Sequence, residues 1–287
     1  MTSDNFRSKY GPWAFITGAS SGIGAEFARQ LARQKLHLIL VARTKEKLEQ
    51  LSQALSAQND VEVKIIVADL SQREEIETIL RQTEGIDVGL LVNNVGREDG
   101  GHFLDSDINR VIQTLDLNCR VPLELTHAFA RKMATRQRGG IIFLSSVVAF
   151  QGVPYIASYA ASKAYDLIFA EGLASELKQH NVDVLALCPG FAKTDLAPGS
   201  NFKSSPIQPM DVEPIVKTAI HSLGKKRVAI PGIVNKVLYF LGKFFQSRKM
   251  NTFSFGQVFR FVLRDKLKHS GKGKYQEPSH SINKGSD

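Results

Sequence analysis

Short apolar runs alternate with amphipathic segments along most of the chain. Six runs indicate buried β-strands and a seventh is shorter; together they cover residues 13–17, 36–42, 61–68, 88–93, 141–145, 182–188 and 227–230. Between them, helical patterns predict helices over residues 23–33 and 45–57, a long helix or helix pair over residues 107–136, and another helix that ends near residue 179. This alternation predicts an α/β protein with a doubly wound parallel sheet and right-handed crossovers.

Two of the predicted helices begin at recognisable capping residues. Thr44 precedes the helix of residues 45–57 and is expected to cap it. Ser71 and Glu74 have the spacing of a capping box, which predicts a helix that begins directly after Ser71. No internal repeat or linker divides the body. We therefore expect a single domain over residues 1–231 and a helical extension over residues 232–287.

The first apolar run ends in a glycine-rich turn, Thr17-Gly-Ala-Ser-Ser-Gly-Ile-Gly24, and a predicted helix follows directly. Gly18 permits a tight turn, Gly22 lets the backbone approach a pyrophosphate, and Gly24 permits close packing of helix on strand. The N–H groups at the start of the helix then attract phosphate. In the first strand-to-helix turn of an alternating chain, this pattern predicts a dinucleotide site in a Rossmann fold.

A second candidate site is the tyrosine and lysine of Tyr159-Ala-Ala-Ser-Lys163. Residues four apart on a helix lie on one face, so the phenol and the ammonium are neighbours. We expect the ammonium to lower the pKa of the phenol toward neutral pH and so to make an acid–base pair. The same spacing also arises by chance on solvated helix faces, so the pair gains its meaning from the residues upstream.

With these motifs in order, the chain resembles the short-chain dehydrogenase/reductase family along most of residues 12–194. Asn93-Asn-Val-Gly96 is similar to the family's Asn-Asn-Ala-Gly turn, with Val95 in place of alanine. Ser146 lies 13 residues before Tyr159, the usual position of the family's serine. The remaining matches are Asp69 and Leu70, Asn118, Pro189 and Gly190, and Thr194.

The resemblance implies a role for each of four residues. Tyr159 would donate a proton to the carbonyl oxygen, Lys163 would assist it and hold the nicotinamide ribose, and Ser146 would polarise the carbonyl. Asn118 would hold a water that links Lys163 to solvent. Two alternatives stay open: Asn118 could bond backbone where its helix bends, and Ser146 could cap a turn. The alternation of the strand directs the adjacent Ser145 elsewhere.

The resemblance also implies which residues bind the cofactor: Gly18, Ser20, Ser21, Gly22, Ile23, Gly24, Arg43, Asp69, Leu70, Asn94, Tyr159, Lys163, Pro189, Gly190 and Thr194. An acidic residue after the second strand would favour NAD, but this chain has Arg43 there. A guanidinium suits a phosphate, so the prediction is NADP(H). Many NADP-binding members have a basic residue where this chain has Ser21. Arg43 could also be a solvated loop cation.

Charge and composition indicate the cellular compartment of the protein. The formal net charge is +9, but residues 224–287 hold 14 basic and 3 acidic residues, whereas the remainder holds 23 basic and 25 acidic ones. Cys119 and Cys188 lie far apart in apolar runs, which indicates buried thiols in a reducing compartment. The N-terminal residues lack a signal-peptide pattern, and no uncharged apolar run is long enough to span a bilayer. We expect a cytoplasmic protein with no metal site.

The basic extension contains an apolar stripe at helical spacing, formed by Ile233, Val234, Val237, Leu238, Leu241, Phe244 and Phe245. It could pack on the body, cover the substrate cleft or form a subunit contact. Alternatively, it could lie on a membrane surface, because lysines accompany the stripe. No recognition motif accompanies the charge, so nucleic acid is not an expected partner. The residues from about His269 onward are expected to be disordered.

The sequence therefore predicts an NADP(H)-dependent oxidoreductase that interconverts a ketone or aldehyde and an alcohol. The family resemblance implies a homodimer or homotetramer, and the apolar and basic extension is similar to that of members that act on acyl chains or steroid-like ketones. The substrate cleft is expected between the loops of residues 150–156 and 193–209. A different class of function is a cofactor-binding scaffold or redox sensor without turnover. The set of Asn118, Ser146, Tyr159 and Lys163 argues against it.

Overall fold

The computed structural model describes residues 3–194 and 208–270. Its centre is a sheet of seven parallel strands in the order β3-β2-β1-β4-β5-β6-β7. The strands are β1 Trp13–Thr17, β2 His37–Ala42, β3 Val63–Val67, β4 Val88–Asn93, β5 Gly139–Leu144, β6 Val182–Leu187 and β7 Val228–Ala229. The predicted doubly wound α/β fold is thus confirmed.

Helices cover both faces of the sheet and continue beyond it into the C-terminal extension. They are α1 Ser3–Tyr10, α2 Gly22–Arg33, α3 Lys45–Asn59, α4 Arg73–Gln82, α5 Ile108–Leu115, α6 Val121–Thr135, α7 Ala157–Glu176, α8 Val212–Ser222, α9 Ile233–Phe245, α10 Arg248–Val262 and α11 Arg264–Ser270. A π-helical segment, Asp116–Arg120, joins α5 to α6. Short 3-10 helices lie at Phe103–Asp105, Val147–Phe150 and Leu177–His180.

One apolar cluster lies on each face of the sheet. Phe27 and Leu31 of α2 are fully buried against one face, and Phe129 of α6 is buried against the other, with its ring 5.0 Å from the ring of Phe15 on β1. Strands covered on both sides need apolar residues at every position, not at alternate ones. This requirement explains why central strands such as β4 and β5 are uninterrupted apolar runs in the sequence, whereas the outer strand β3 contains Lys64.

The capping box predicted for the fourth helix is wrong. Helix α4 begins at Arg73 with Gln72 as its N-cap residue, whereas Ser71 lies outside it. The Ser71 hydroxyl donates to Asp69 Oδ1 at 2.9 Å, and the Ser71 N–H donates to the same oxygen at 3.1 Å. Asp69 therefore competes successfully for the serine. Thr44 is the N-cap residue of α3, as predicted, although its side chain makes no capping hydrogen bond.

The topology places the carboxyl ends of the strands at one edge of the sheet. The chain runs outward from β1 through β2 to β3, then returns to β4 on the other side of β1. Such a reversal of strand order opens a crevice beyond the carboxyl ends of the two central strands. The glycine turn follows β1, and the Asn93–Gly96 turn follows β4. Both predicted motifs therefore meet at this crevice.

Parts of two sequence predictions lie outside the described residues. They are the loop over residues 195–207 and the tail beyond Ser270. The division into a body of residues 1–231 and an extension stays a prediction. Within the described part of the chain, no helix combines the length and the apolar character needed to cross a bilayer.

Candidate active site

The glycine turn between β1 and α2 has the conformation that a close ligand requires. Gly18 and Gly22 have positive φ values of +65° and +55°, which side chains rarely tolerate. A Cβ atom on Gly24 would lie 2.2 Å from the carbonyl oxygen of Gly18, so only glycine allows α2 to pack this closely on the turn. The residue types that the sequence singled out are therefore required by the backbone.

The start of α2 is suited to a phosphate group. Ser21 is its N-cap residue and makes no capping hydrogen bond with its side chain, so the first N–H groups of the helix are not satisfied by that hydroxyl. Asn94 supports the turn from β4: its Nδ2 donates to the carbonyl oxygens of Thr17 at 2.8 Å and Gly18 at 3.2 Å. These features fit the pyrophosphate of a dinucleotide.

Tyr159 and Lys163 lie side by side on α7, buried at the carboxyl edge of the sheet. The Lys163 ammonium is 5.9 Å from the centre of the Tyr159 ring. Ser146, directly beyond β5, lines the same cavity as Tyr159, and its hydroxyl acts to lower the pKa of the phenol. Ser146 also accepts from the N–H of Val148 at 3.4 Å and so caps a 3-10 turn. The turn-capping interpretation of Ser146 therefore holds in the structure, whereas its role in polarising a carbonyl stays a prediction.

The partners of Lys163 were not all expected. Its Nζ donates to the carbonyl oxygen of Leu144 at 2.7 Å and to Asp166 Oδ2 at 3.0 Å. The side chains of Lys163 and Asp166 are only 4% and 3% exposed, so this ion pair is almost completely buried. Two of the three N–H bonds of the ammonium are thus used, and its full charge is not directed at Tyr159.

The pKa of Tyr159 is raised, not lowered as the sequence predicted. Burial of the phenol is the largest cause, the carboxylates of Glu98 and Asp166 add to it, and only the hydrogen bond from Ser146 opposes it. The prediction counted the ammonium of Lys163 but missed the burial of the phenol, which is the largest cause, and the two carboxylates, which add to it. Burial likewise raises the pKa of Asp166 to about 6, although Lys163 lowers it.

Asn118 lies in the π-helical segment between α5 and α6 and is fully buried. Its Nδ2 donates to the Arg97 carbonyl oxygen and to the Ser162 hydroxyl, both at 2.9 Å, and its Oδ1 accepts from the Arg97 N–H at 2.8 Å. These are the backbone contacts at a helix bend that formed the alternative interpretation. The role of holding a water for Lys163 stays a prediction.

A cavity of about 570 Å³ opens at this edge of the sheet. It brings together eight of the residues predicted from the sequence: Ile23, Asn94, Ser146, Tyr159, Lys163, Pro189, Gly190 and Thr194. Its volume is in the range of small-molecule sites. The far wall is formed by the extension, which contributes Leu238, Phe255 and Phe259 among others. The extension therefore covers the cleft, which was one of its predicted roles.

The remaining predicted cofactor residues lie outside this cavity. Ser20 lines a separate cleft between α2 and α3, and Arg43 is exposed directly after β2. Asp69 accepts hydrogen bonds from Ser71, and Leu70 is buried in the apolar cluster on one face of the sheet. Arg43 follows β2, and Asp69 and Leu70 follow β3, at the carboxyl edge where an extended dinucleotide would reach its adenine end. Their contact with a cofactor stays a prediction.

Two acidic residues of the site were missed in the sequence. Glu98 lines the cavity two residues after the Asn93–Gly96 turn, and Asp166 follows Lys163 by three positions on α7. Burial raises the pKa of Glu98 to about 7, an effect that Lys266 opposes and Asp99 increases. The helical spacing of Asp166 was visible in the sequence. The environment of Glu98 includes Lys266 of the extension, a contact distant in sequence, so the sequence alone could not predict it.

The chain also contacts itself across the cavity mouth. A Cβ atom on Gly190 would lie 2.5 Å from Asn235 Oδ1, so α9 rests directly on the loop after β6. Asn235 is buried and donates to the carbonyl oxygen of Pro231 at 2.9 Å. This contact fixes the start of the extension beside the predicted nicotinamide loop. The arrangement provides a buried proton donor, a hydroxyl beside it and an enclosed apolar chamber.

Comparisons with known proteins agree with this geometry. A family model described as short chain dehydrogenase matches residues 12–204. A 7beta-hydroxysteroid dehydrogenase of Clostridium sardiniense is 32% identical over 238 residues, which cover 81% of this chain and 90% of that protein. A very-long-chain 3-oxoacyl-CoA reductase of Podospora anserina is 39% identical over 191 residues, or 64% of this chain and 56% of that protein. The chain thus spans just over half of that reductase.

Solved structures extend the likeness to three dimensions. A 7beta-hydroxysteroid dehydrogenase superposes with a TM-score of 0.82 at 28% identity, covering 88% of this chain and 99% of the other. A short-chain dehydrogenase from Sphingobium yanoikuyae, solved with NADPH, gives a TM-score of 0.73 at 29% identity and covers 83% of this chain and 97% of that one.

The Asp166→Asn variant tests whether this carboxylate controls the acid–base pair. In alcohol oxidation Tyr159 must accept a proton, so the rate rises with pH through the pKa of the phenol. Removing the negative charge leaves the ammonium of Lys163 to stabilise the phenolate. We expect the midpoint of the pH profile of kcat/KM to move to lower pH by roughly one unit.

The control for this experiment is Glu176→Gln, an exposed carboxylate at the end of the same helix. It makes the same change of charge far from the cavity and should leave the midpoint in place. An unchanged midpoint in Asp166→Asn, or an equal shift in both variants, would contradict the role given to Asp166.

Proposed function

Because the chain belongs to the short-chain dehydrogenase/reductase family, we propose that it reduces a bulky lipophilic ketone with NADPH, with Tyr159 as the proton donor. The family acts on alcohols and carbonyl compounds through a nicotinamide cofactor, so the chain is an oxidoreductase. The observation that carries the finer proposal is the cavity in which Ser146, Tyr159 and Lys163 face an apolar wall.

The chain's own residues would carry the proton transfer. When bound, NADPH supplies the hydride that attacks the carbonyl carbon. Tyr159 then gives its proton to the oxygen as negative charge develops there. Ser146, which lines the cavity beside Tyr159, would donate a hydrogen bond to the same oxygen. Lys163 holds its position through Leu144 and Asp166 and has one N–H bond left for a ribose hydroxyl.

Two features support NADPH over NADH. Arg43 follows β2 directly and is exposed, so its guanidinium is available to a phosphate at the ribose 2′ position. No acidic residue stands at the end of β2, where a carboxylate would bind the ribose hydroxyl of NAD. The solved relative from Sphingobium yanoikuyae holds NADPH. Ser20 and Ser21, in the glycine turn, would add hydroxyl contacts.

The lining of the cavity favours a bulky apolar substrate. Helices α9 and α10 bring Leu238, Leu241, Phe255, Val258 and Phe259 to it, so the walls away from Tyr159 are largely apolar. Relatives of the chain are named for hydroxysteroids and for very-long-chain 3-oxoacyl-CoA. We propose a ketone of steroid-like bulk, placed with its carbonyl between Ser146 and Tyr159. Glu98, at the same wall, would accept a hydrogen bond from a second polar group.

Assembly and location complete the proposal. A homodimer or homotetramer in the cytoplasm remains the expectation, with contact to a membrane surface as a further property of the extension. A cofactor-binding scaffold or sensor would need no buried phenol beside a hydroxyl and an ammonium. Turnover therefore distinguishes the enzyme from the scaffold.

A panel of ketones of increasing bulk, with NADPH oxidation as the readout, tests the proposed reaction. We expect Tyr159→Phe to lower kcat by roughly 10²- to 10⁴-fold, because the phenol is the proposed proton donor and phenylalanine has no proton to give. Tyr165→Phe is the matched control, since that tyrosine lies on the same helix and stacks on Phe169 instead of lining the cavity. Cofactor binding without reduction of any ketone by the unmodified chain would favour the sensor.

Replacement of Arg43 tests the choice of cofactor. We expect Arg43→Ala to raise the KM for NADPH by roughly 10- to 100-fold, the value of a lost charge-assisted hydrogen bond, and to leave the KM for NADH nearly unchanged. Lys45→Gln removes an exposed cation two residues further on and should leave both constants in place. Equal changes in the KM values for NADPH and NADH would show that Arg43 does not recognise the 2′-phosphate.

A further inference from the structure

Helix α9 directs its apolar residues away from the protein. Six large side chains on its outer side are between 49% and 78% exposed, and we call them the apolar face: Ile233, Val234, Val237, Phe240, Phe244 and Phe245. The inner side holds Asn235, which is buried, and Tyr239, whose ring lies 4.3 Å from the ring of Phe150. The helix therefore packs on the body through mixed residues and leaves its most apolar side in solvent.

The second helix of the extension also exposes apolar side chains: Met250 and Phe253 of α10 are 54% and 67% exposed. On α9 itself the exposed groups are contiguous, since the ring of Phe240 lies 4.8 Å from that of Phe244 and 6.1 Å from that of Phe245. Contiguous exposed apolar groups are uncommon on a soluble monomer and mark a binding surface. The question is then which partner covers it.

The charges around the apolar face identify that partner. Between Gly224 and Arg264 the sequence has nine basic residues and no acidic one. Lys236 is exposed on α9 at the border of the apolar face, where a long side chain can reach lipid headgroups. Lys243 is also exposed there, although its ammonium contacts the Tyr239 hydroxyl at 3.2 Å. We propose that the apolar face docks on a bilayer surface that contains anionic lipid.

A second copy of the chain fits the same surface less well. In a symmetric dimer the same patch meets itself, so the cations of one extension would face those of the other. No acidic side chain between residues 224 and 264 is present to pair with them. An anionic lipid surface, in contrast, neutralises these cations while it buries the phenylalanines.

The cavity is lined by residues of the same helix. Leu238 and Leu241 line it and are also 43% and 44% exposed next to the apolar face. Lys243 and Gln246 line it nearby. Resting on the proposed function, we infer that a ketone dissolved in the bilayer enters the cavity along α9 without crossing water. Docking itself needs no catalysis, so the two parts can be tested separately.

Docking is tested by flotation of the full chain with two vesicles, one of phosphatidylcholine and one with added phosphatidylglycerol. We expect the chain to float with the anionic vesicles, and less at high salt, because salt screens the lysines. The Phe244→Asp variant should lower the bound fraction by roughly tenfold or more, because it replaces a phenyl ring that the bilayer would bury with a charged carboxylate. Ile168→Asp changes a 68% exposed side chain on α7 and should float as the unmodified chain does.

Activity measurements distinguish the entry of a ketone from the bilayer from the docking of the chain on the bilayer. Phe244 does not line the cavity. The Phe244→Asp variant should therefore reduce a water-soluble ketone at the unmodified rate and lose most of its rate on a ketone held in anionic vesicles. Equal rates of both chains on the vesicle-held ketone would overturn entry from the bilayer. Vesicle binding without reduction of any ketone would reject the proposed function and leave docking standing.

Two results would overturn docking. One is the absence of flotation with anionic vesicles, or equal flotation of the unmodified chain and Phe244→Asp. The other is that the unmodified chain binds no vesicle but elutes as a dimer in size-exclusion chromatography, whereas Phe244→Asp elutes as a monomer. That result would assign the apolar face to a second copy.

Discussion

The buried contact between Lys163 and two oxygen atoms organises the site. The ammonium is held by the Leu144 carbonyl at the end of β5 and by Asp166 one turn along α7. A buried charge must be paired and hydrogen-bonded, and this pair locks the sheet edge to the helix that carries Tyr159. The positions of Tyr159 and Ser146 follow from it.

The same pair sets the electrostatics of the reaction. Lysine beside tyrosine suggests a lowered phenol pKa, yet the structure surrounds the phenol with low-dielectric protein and two carboxylates. The ammonium thus acts first as a structural cation and only then as a stabiliser of phenolate. Glu98 brings a second titratable group to the cavity wall, with a pKa raised to about 7 by burial. The acid–base behaviour therefore belongs to a cluster of groups and not to one pair.

Most of the fold was predictable because parallel strands covered on both faces leave continuous apolar runs, and because the backbone of the first turn accepts only glycine at Gly24. The start of α4 was not predictable from the sequence, because the Ser71 hydroxyl donates to Asp69 and does not cap the helix. The position of Glu98 depends on contacts distant in sequence. The apolar stripe of α9 was visible, but amphipathicity cannot tell which side of a helix faces the protein. In this chain Asn235 faces inward and Phe244 outward.

The extension connects the cavity with the outer surface, because α9 contacts Gly190 on one side and exposes its phenylalanines on the other.

The central claim is that a carbonyl is reduced directly in the cavity beside Tyr159. Reaction with NADPH that carries deuterium at both positions of the nicotinamide C4 tests it most directly, because whichever C4 hydrogen is transferred is then labelled. The account predicts an alcohol with one deuterium on the carbinol carbon and no label in the solvent. Release of deuterium to water, or NADPH oxidation without labelled alcohol, would contradict it.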